Sequence, residues 1–306
     1  MDYRTDLAME RTVYPGGLGD GVTVHTQNEG DAEITWVRIH SQAAAQRLGK
    51  AEGTYWTMMH HQLPYLTPDE RIDVARQVAQ VLRLMLPPKG TVLVLGLGNR
   101  RMTADALGDR VVSGILVTRH MEDLTSDDVL SDENNRKLRS VCAMSPGVLG
   151  ITGVETAELA MGLVERLKPA AVLVVDALAA METSHIGTTI QLTDTGIRPG
   201  SGVGNHRAGI TRDALHVPVI AMGIPMVVYA STIVRDALKS ILSSERNDED
   251  AHTMAEELTG QIRDEMVVTP RNIDELVAGL ADMLALAVNS ALQPAYSIDE
   301  LTHYLH

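Results

Sequence analysis

Three continuous apolar runs limit what this chain can fold into: "TVLVLG" (Thr91 to Gly96), "AAVLVVDA" (Ala170 to Ala177) and "VPVIAMG" (Val217 to Gly223). Each has strand length, is rich in Val, Leu or Ile, and shows no alternation of apolar with polar residues. That pattern predicts strands buried on both faces, as in a parallel sheet. Stretches of helical spacing such as "ETAELAMGLVERLK" (Glu155 to Lys168) lie between them. Strand, helix, strand repetition predicts an α/β fold: a mainly parallel, twisted sheet with helices on both faces. Ahead of it, "GVTVHTQ" (Gly21 to Gln27), "AEITWVRI" (Ala32 to Ile39) and "GTYWTMMH" (Gly53 to His60) predict strands of a small N-terminal β-rich unit, antiparallel or mixed. Thr67, Pro68 and Glu70 then form a capping box with proline at the first helical position, which predicts a helix over "TPDERIDVARQVAQVLRLML". A long amphipathic helix is predicted to follow Thr269 and Pro270, and the polar Ser243 to Thr253 reads as a surface excursion.

Composition narrows the function. With 306 residues, 44% of them hydrophobic, the chain can bury one large core. The apolar runs fall far short of the roughly 20 residues of a membrane span. Asp2, Arg4 and Asp6 occupy the place where a secretion signal needs a basic start and an apolar run, so a soluble cytoplasmic protein is expected. Cys142, the only cysteine, precludes an intramolecular disulfide and suits a reducing compartment. A net charge of −14 argues against broad nucleic-acid binding, and any anionic ligand would need a local cluster of cations.

In open α/β sheets, ligands bind beyond the carboxyl ends of the strands. That rule selects Asp105, in "LGLGNRRMTADALG" after the first apolar run, and Asp176, at the expected end of the second. If the two strands are neighbours, the carboxyl groups meet. Two acids in one low-dielectric cleft share a proton, so the pair can act as base toward water and acid toward a leaving amine. The competing structural roles are a helix N-cap for Asp105 and a paired strand-end acid for Asp176. The "GLGN" turn resembles part of a dinucleotide fingerprint but has Arg101 where the third glycine belongs.

The densest local signal is "TTIQLTDTGIRPGSGVGNHR" (Thr188 to Arg207), where a short strand runs into a loop containing Asp194, Gly196, Gly200, Gly202 and Gly204. Glycine-rich loops of this kind line sites. Its "DTG" matches the triplet of pepsin-like proteases, but those are all-β enzymes. Arg198, His206 and Arg207 are candidate holders of an acidic substrate, or ordinary loop charge. His185 and His206 lack metal-ligand spacing near the acids, so neither metal nor cofactor is expected.

The blocks "RTDLAME", "GLGNRRMTADALG", "LVTRHM", "SPGVLGITGVET", "VVDALAA", "TTIQLTDTGIRPGSGVGN", "VPVIAMGIPMVV" and "MVVTPRNID" occur in an order that resembles the germination proteases of spore-forming bacteria. The resemblance implies a fold similar to hydrogenase-maturation endopeptidases and catalytic roles for Asp105 and Asp176. It implies an endopeptidase of the spore core that degrades small acid-soluble spore proteins, works as a homotetramer and is made as a self-processing zymogen. Alanine at 104, where the family has proline, and Met181, where it has arginine, are departures, and the region Ser243 to Thr253 looks shortened. Family substrates are cut after an acid and before an apolar residue, with Ala next and an acid further on. "TDLAME" fits, with Asp6 and Leu7 flanking the bond, followed by Ala8 and Glu10. Residues 1–6 are therefore a candidate propeptide, and 7–306 a single peptidase domain made of a β-rich part (7–66) and the main sheet and helices (67–306). The alternatives are a metal-binding maturation-type endopeptidase and a non-catalytic nucleotide-binding α/β protein.

Overall fold

The apolar runs lie side by side. The structure, a computed structural model, describes residues 5–13, 18–124, 137–198, 208–242 and 266–304. Among them one sheet contains β1 (Val22–Glu29), β2 (Ala32–Ile39), β3 (Gly53–Met59), β4 (Val92–Gly96), β5 (Val141–Met144), β6 (Ala171–Ala180), β7 (Thr189–Thr193), β8 (Val219–Tyr229) and β9 (Val267–Val268). The order is β1-β2-β3-β7-β8-β6-β4-β5, with β9 pairing the end of β8. The strands β8, β6, β4 and β5 are parallel neighbours. β7 joins β8 antiparallel, and β3 joins β7 antiparallel. The N-terminal strands are thus not a separate unit but a continuation of the main sheet. Tyr55 to Met59 find partners in both β2 and β7, and Ile34, Trp56 and Met58 belong to the main core.

The helices are α1 (Ala8–Thr12), α2 (Gln42–Leu48), α3 (Pro68–Met85), α4 (Leu107–Ser113), α5 (Leu149–Thr152), α6 (Thr156–Leu167), α7 (Arg212–Leu215), α8 (Ala230–Leu242), α9 (Ile273–Leu292) and α10 (Ile298–Tyr304). Successive strand side chains point to opposite faces. Val92, Val94, Leu173 and Val175 accordingly pack with residues of α3, α4 and α9, while Leu93, Leu95, Val172 and Val174 pack with Ala157, Ala160 and Val164 of α6 and Leu215 of α7. Both faces are covered, which is why these strands carry no polar alternation. Each fully buried side chain of this size contributes about 1.5–3 kcal/mol.

The capping box at α3 forms as its residues predict: Thr67 Oγ1 accepts from the Glu70 N–H at 3.4 Å, and Glu70 Oε2 accepts from the Thr67 N–H at 2.7 Å. α9 starts later than its Thr-Pro pair suggests. Thr269 is occupied elsewhere, its hydroxyl donating to the Met226 carbonyl at 2.9 Å, and Asn272 takes the N-cap position. α9 is also long and apolar enough to cross a membrane by composition, yet it is mostly buried and packs on α3 and α4.

One strand boundary differs in a way that matters. β6 does not stop at Val175 but runs on to Ala180, because β8 also continues and keeps pairing with it past a bulge between Leu178 and Ala179. β4 ends earlier, its last pair being Gly96 with Val175. Asp176 therefore sits inside a strand, at the first position of β6 that has lost its β4 partner.

Candidate active site

Asp176 of β6 and Gln191 of β7 are both paired with Gly223 of β8, so the three share one row across the sheet. Residues directly opposite in a sheet project from the same face. Gly223 has no side chain, and a Cβ there would come within 2.5 Å of the Asp176 carbonyl oxygen and 2.7 Å of Leu178 Cγ. The row carries an acid on one side and an amide on the other, with Leu178 packed over the glycine between them.

Asp105 arrives from the neighbouring strand. After Gly96 the chain turns through Gly98, whose φ of +103° is a conformation that L side chains rarely adopt and where a Cβ would collide with the Asp105 carbonyl. The Asn99 N–H donates to Asp105 Oδ2 at 2.8 Å, and a short turn over Thr103–Asp105 precedes α4. Asp105 does not cap that helix, since Ala106 holds the N-cap position. Asp176 is 9% exposed and its Oδ1 accepts from the Ala177 N–H at 2.9 Å. Burial, then the negative charges of Asp105 and Asp6, hold its carboxyl well above the usual carboxylate range, against the Ala177 hydrogen bond. One acid of the pair thus keeps its proton where a solvated carboxyl would have lost it.

Beside these acids lies the protein's own N-terminal segment. The Asp6 N–H donates to the Ala179 carbonyl at 2.9 Å, and the Ala179 N–H donates to Asp6 Oδ2 at 2.8 Å. Gln191 clamps the backbone that follows: its Nε2 donates to the Asp6 carbonyl at 2.9 Å and its Oε1 accepts from the Ala8 N–H at 2.7 Å. The Leu7 side chain is fully buried among Leu178, Ala180 and Val228. Lys50 Nζ donates to the Thr5 carbonyl at 2.8 Å. Burial lowers the pKa of Lys50 to about 8, opposed by the charge of Asp6.

Glu10, in α1, is also buried. Its carboxylate accepts from the Met181 N–H at 2.9 and 3.0 Å, from the Glu182 N–H at 3.0 Å and from the Thr5 hydroxyl, and His185 Nδ1 lies 2.6 Å from it. Burial disfavours a charged His185, but the hydrogen bond and charge of Glu10, aided by Glu182 and Asp236, outweigh it and raise its pKa. At the departure position 181, the main-chain N–H donates to the Glu10 carboxylate, while the methionine side chain is buried.

Other residues singled out in the sequence fall as follows. Asp194 Oδ1 accepts from the Thr54 N–H at 2.8 Å, tying the loop after β7 to β3. Gly196 has φ +75° and packs so closely on the Ile210 carbonyl that a Cβ would collide, beside the bridge between Ile197 and Ile210. Arg198 is exposed, whereas Gly200, Gly202, Gly204, His206 and Arg207 lie outside the described residues, as does the polar excursion. Gln191, Lys50 and the Glu10–His185 contact were not foreseen. Gln191 offered one signal, an amide between Ile190 and Leu192 in a short strand, which is costly unless bonded when that strand is buried.

The class the fold defines is a mixed α/β protein whose own N-terminal segment is bound, through Asp6 and Ala8, to strands β6 and β7 beside Asp176. Sequence comparison narrows this. A family profile described as germination protease matches residues 15–246. The germination protease of Caldanaerobacter subterraneus subsp. tengcongensis is 40% identical, the alignment covering 99% of this chain and 98% of that one. That of Clostridium perfringens strain ATCC 13124 is 36% identical with 99% of each covered, and that of Bacillus cereus strain AH187 is 32% identical, covering 99% and 97%. A solved [NiFe] hydrogenase maturation protease from Thermococcus kodakarensis KOD1 covers 59% of this chain and 97% of its own, with TM-score 0.30 and 17% identity. The chain belongs to the germination protease family and is a peptidase.

Proposed function

We propose that this peptidase is an endopeptidase that begins the breakdown of small acid-soluble spore proteins at germination, using Asp105 and Asp176 as its acids, and that it is made as a zymogen that cuts itself between Asp6 and Leu7. The carrying observation is the Gln191 clamp, which fixes the Asp6 carbonyl and the Ala8 N–H on either side of that bond, in the row that contains Asp176. Asp105, as carboxylate, takes a proton from water while the water oxygen bonds to the Asp6 carbonyl carbon. Gln191 Nε2 stabilises the negative charge that develops on the carbonyl oxygen. Asp176, kept protonated by burial, gives its proton to the Leu7 nitrogen as the C–N bond breaks. The products are a chain ending at Asp6 and one beginning at Leu7.

Arg198, His206 and Arg207 follow β7 and supply positive charge for acidic side chains of a longer substrate. The family resemblance supports a homotetramer in the spore core, acting without a cofactor. The nucleotide-binding alternative is disfavoured by the "GLGN" turn itself. Its Asn99 N–H, which a phosphate would need, is taken by Asp105.

The test is digestion of a purified small acid-soluble spore protein by the processed enzyme, with and without chelator, followed by sequencing of the product termini. Cleavage after an acid and before an apolar residue, insensitive to chelator and lost in both D105N and D176N, is expected. Near wild-type cleavage by either variant would remove that acid from the mechanism, and loss of activity with chelator would favour the metal-dependent alternative.

A further inference from the structure

We infer that the open face of the N-terminal hairpin is a nucleic-acid site: it takes a short single-stranded segment, with a base stacked on Trp36 and a phosphate held by Arg38. The site is apart from the acids, because β3, β7 and β8 lie between β2 and the Asp176 strand β6.

The two faces of β2 and β3 are unlike. Val37, Ile39 and Tyr55 are buried on one face, with Ala44 and Leu48 of α2 and Ala8 of α1. The residues that alternate with them, Trp36 and Arg38 of β2 with Thr54 and Trp56 of β3, belong to the other face. Ile34 and Trp56 join the main core there, but toward Arg38 and His40, both exposed, the cover ends and a cavity of about 500 Å³ opens. Thr23, His25, Trp36, Arg38, His40 and Thr54 line it, with no carboxylate among them. Asp194, which borders Thr54, already accepts from its N–H at 2.8 Å. Register sets the lining in rows: His25 is opposite Trp36, and Thr23, Arg38 and Thr54 form the next row. His40 follows, its Nε2 2.9 Å from Thr23 Oγ1.

Rows two residues apart on one face are spaced about 6.8 Å, a separation that a base and its own phosphate span. Trp36 is half-buried and braced edge-to-face on the buried Trp56, ring centroids 6.4 Å apart, so its indole is a fixed platform for stacking. Arg38 makes no ion pair with another described residue, which leaves its guanidinium to grip a phosphate as a fork. An acidic peptide would leave the indole without a stacking partner, and in a duplex the base faces are already stacked on one another. A single strand brings both a free base face and a phosphate. The net charge of −14 excludes a broad footprint, and this one is local, one or two phosphates long.

The experiment titrates the full-length protein with a decamer of deoxythymidylate. Trp36 and Trp56 are the only tryptophans and Trp56 is 1% exposed, so quenching of intrinsic fluorescence reports a base on Trp36. The decamer should quench, and the logarithm of its affinity should fall with the logarithm of salt at a slope of about −0.7 to −1.4, the signature of one or two phosphates on a single strand. R38Q changes an exposed position and should bind at least about tenfold more weakly, with a shallower slope, because charge-assisted hydrogen bonds are lost. Its self-processing should keep the wild-type rate, which shows that the variant is folded. No quenching by the decamer, or undiminished binding in R38Q, would overturn the site. Quenching as strong by a duplex of the same length or by an oligoglutamate would overturn the single strand as its occupant, and equal affinity for thymidine monophosphate would overturn it in favour of a free nucleotide.

Discussion

Asp176 is an acid in a position where its charged form is disfavoured, and that has two consequences. The first is catalytic: activity should fall as pH rises through its raised pKa, since the proton destined for the leaving amine is then lost. The second is energetic. Between the ordinary aspartic range and the raised folded value, the unfolded chain has released this proton and the native chain still holds it. The native state binds more protons, so stability declines as pH rises across that window. D176N has no proton to lose. It should be inactive yet melt a few degrees above wild type near neutral pH, with the gap closing at low pH; a variant that melts below wild type at pH 7 would contradict the assignment. At Gln191 the expectation is kinetic. Q191L removes the donor to the Asp6 carbonyl and should slow self-processing by about 10²-fold, as loss of an oxyanion donor does elsewhere, measured as the rate at which the shortened chain appears. The strand-end rule singles out the two acids from the apolar runs that precede them, although Asp176 lies within β6 rather than at its end. Gln191, Lys50 and His185 were not legible in the sequence, because what they touch comes from the other end of the chain: the Gln191 to Ala8 bond spans 183 positions.

At the scale of elements, propensity and pattern located α3, β4 and β7 well, since a capping box, an apolar run with clear ends and a short β-branched stretch before a glycine-rich loop are local signals. They failed where a partner decides the boundary. The acid in "VVDALAA" looked like the end of a strand, but β8 extends the ladder to Ala180. The "VCAM" strand β5 was missed, being only four residues long and specified by its pairing with β4. Removing the capping box should cost about 1 kcal/mol: T67A should lower the melting temperature by roughly 2–4 °C, leaving cleavage unaltered. The docked N-terminal segment is anchored by the buried Leu7 and should open as a unit separate from the sheet core. Leu7→Asp places a charge among Leu178, Ala180 and Val228. Hydrogen exchange should then accelerate at the Ala8 and Met181 amides, while protection of β4 and β6 at Val172 to Val175 is unchanged. Retained protection at Ala8 would show that the segment is held by something other than this pocket.

At the scale of the molecule, one sheet joins the N-terminal hairpins, the acid-bearing parallel strands and the clamp strand β7, so the cleft is framed by elements drawn from the whole chain. The sequence predicts one domain, 7–306, with a small β-rich N-terminal part ahead of the main sheet. The antiparallel register of β3 with β7 merges them, and no local pattern encodes that pairing. The N-terminal segment docks on the same sheet, with Asp6 and Ala8 bonded to Ala179 of β6 and Gln191 of β7. A substrate-like segment tethered in this way is present at an effective concentration that reaches the millimolar range, so self-processing should precede any other cleavage. Intact-mass spectrometry of purified wild-type protein under activating conditions, alongside D176N, tests this directly. The wild-type chain should lose Met1 to Asp6 and begin at Leu7, while D176N keeps its full length. A wild-type enzyme that digests its protein substrate completely yet retains Met1 to Asp6, or a D176N chain shortened at the same bond, would contradict the proposal that the segment in the cleft is the enzyme's first substrate.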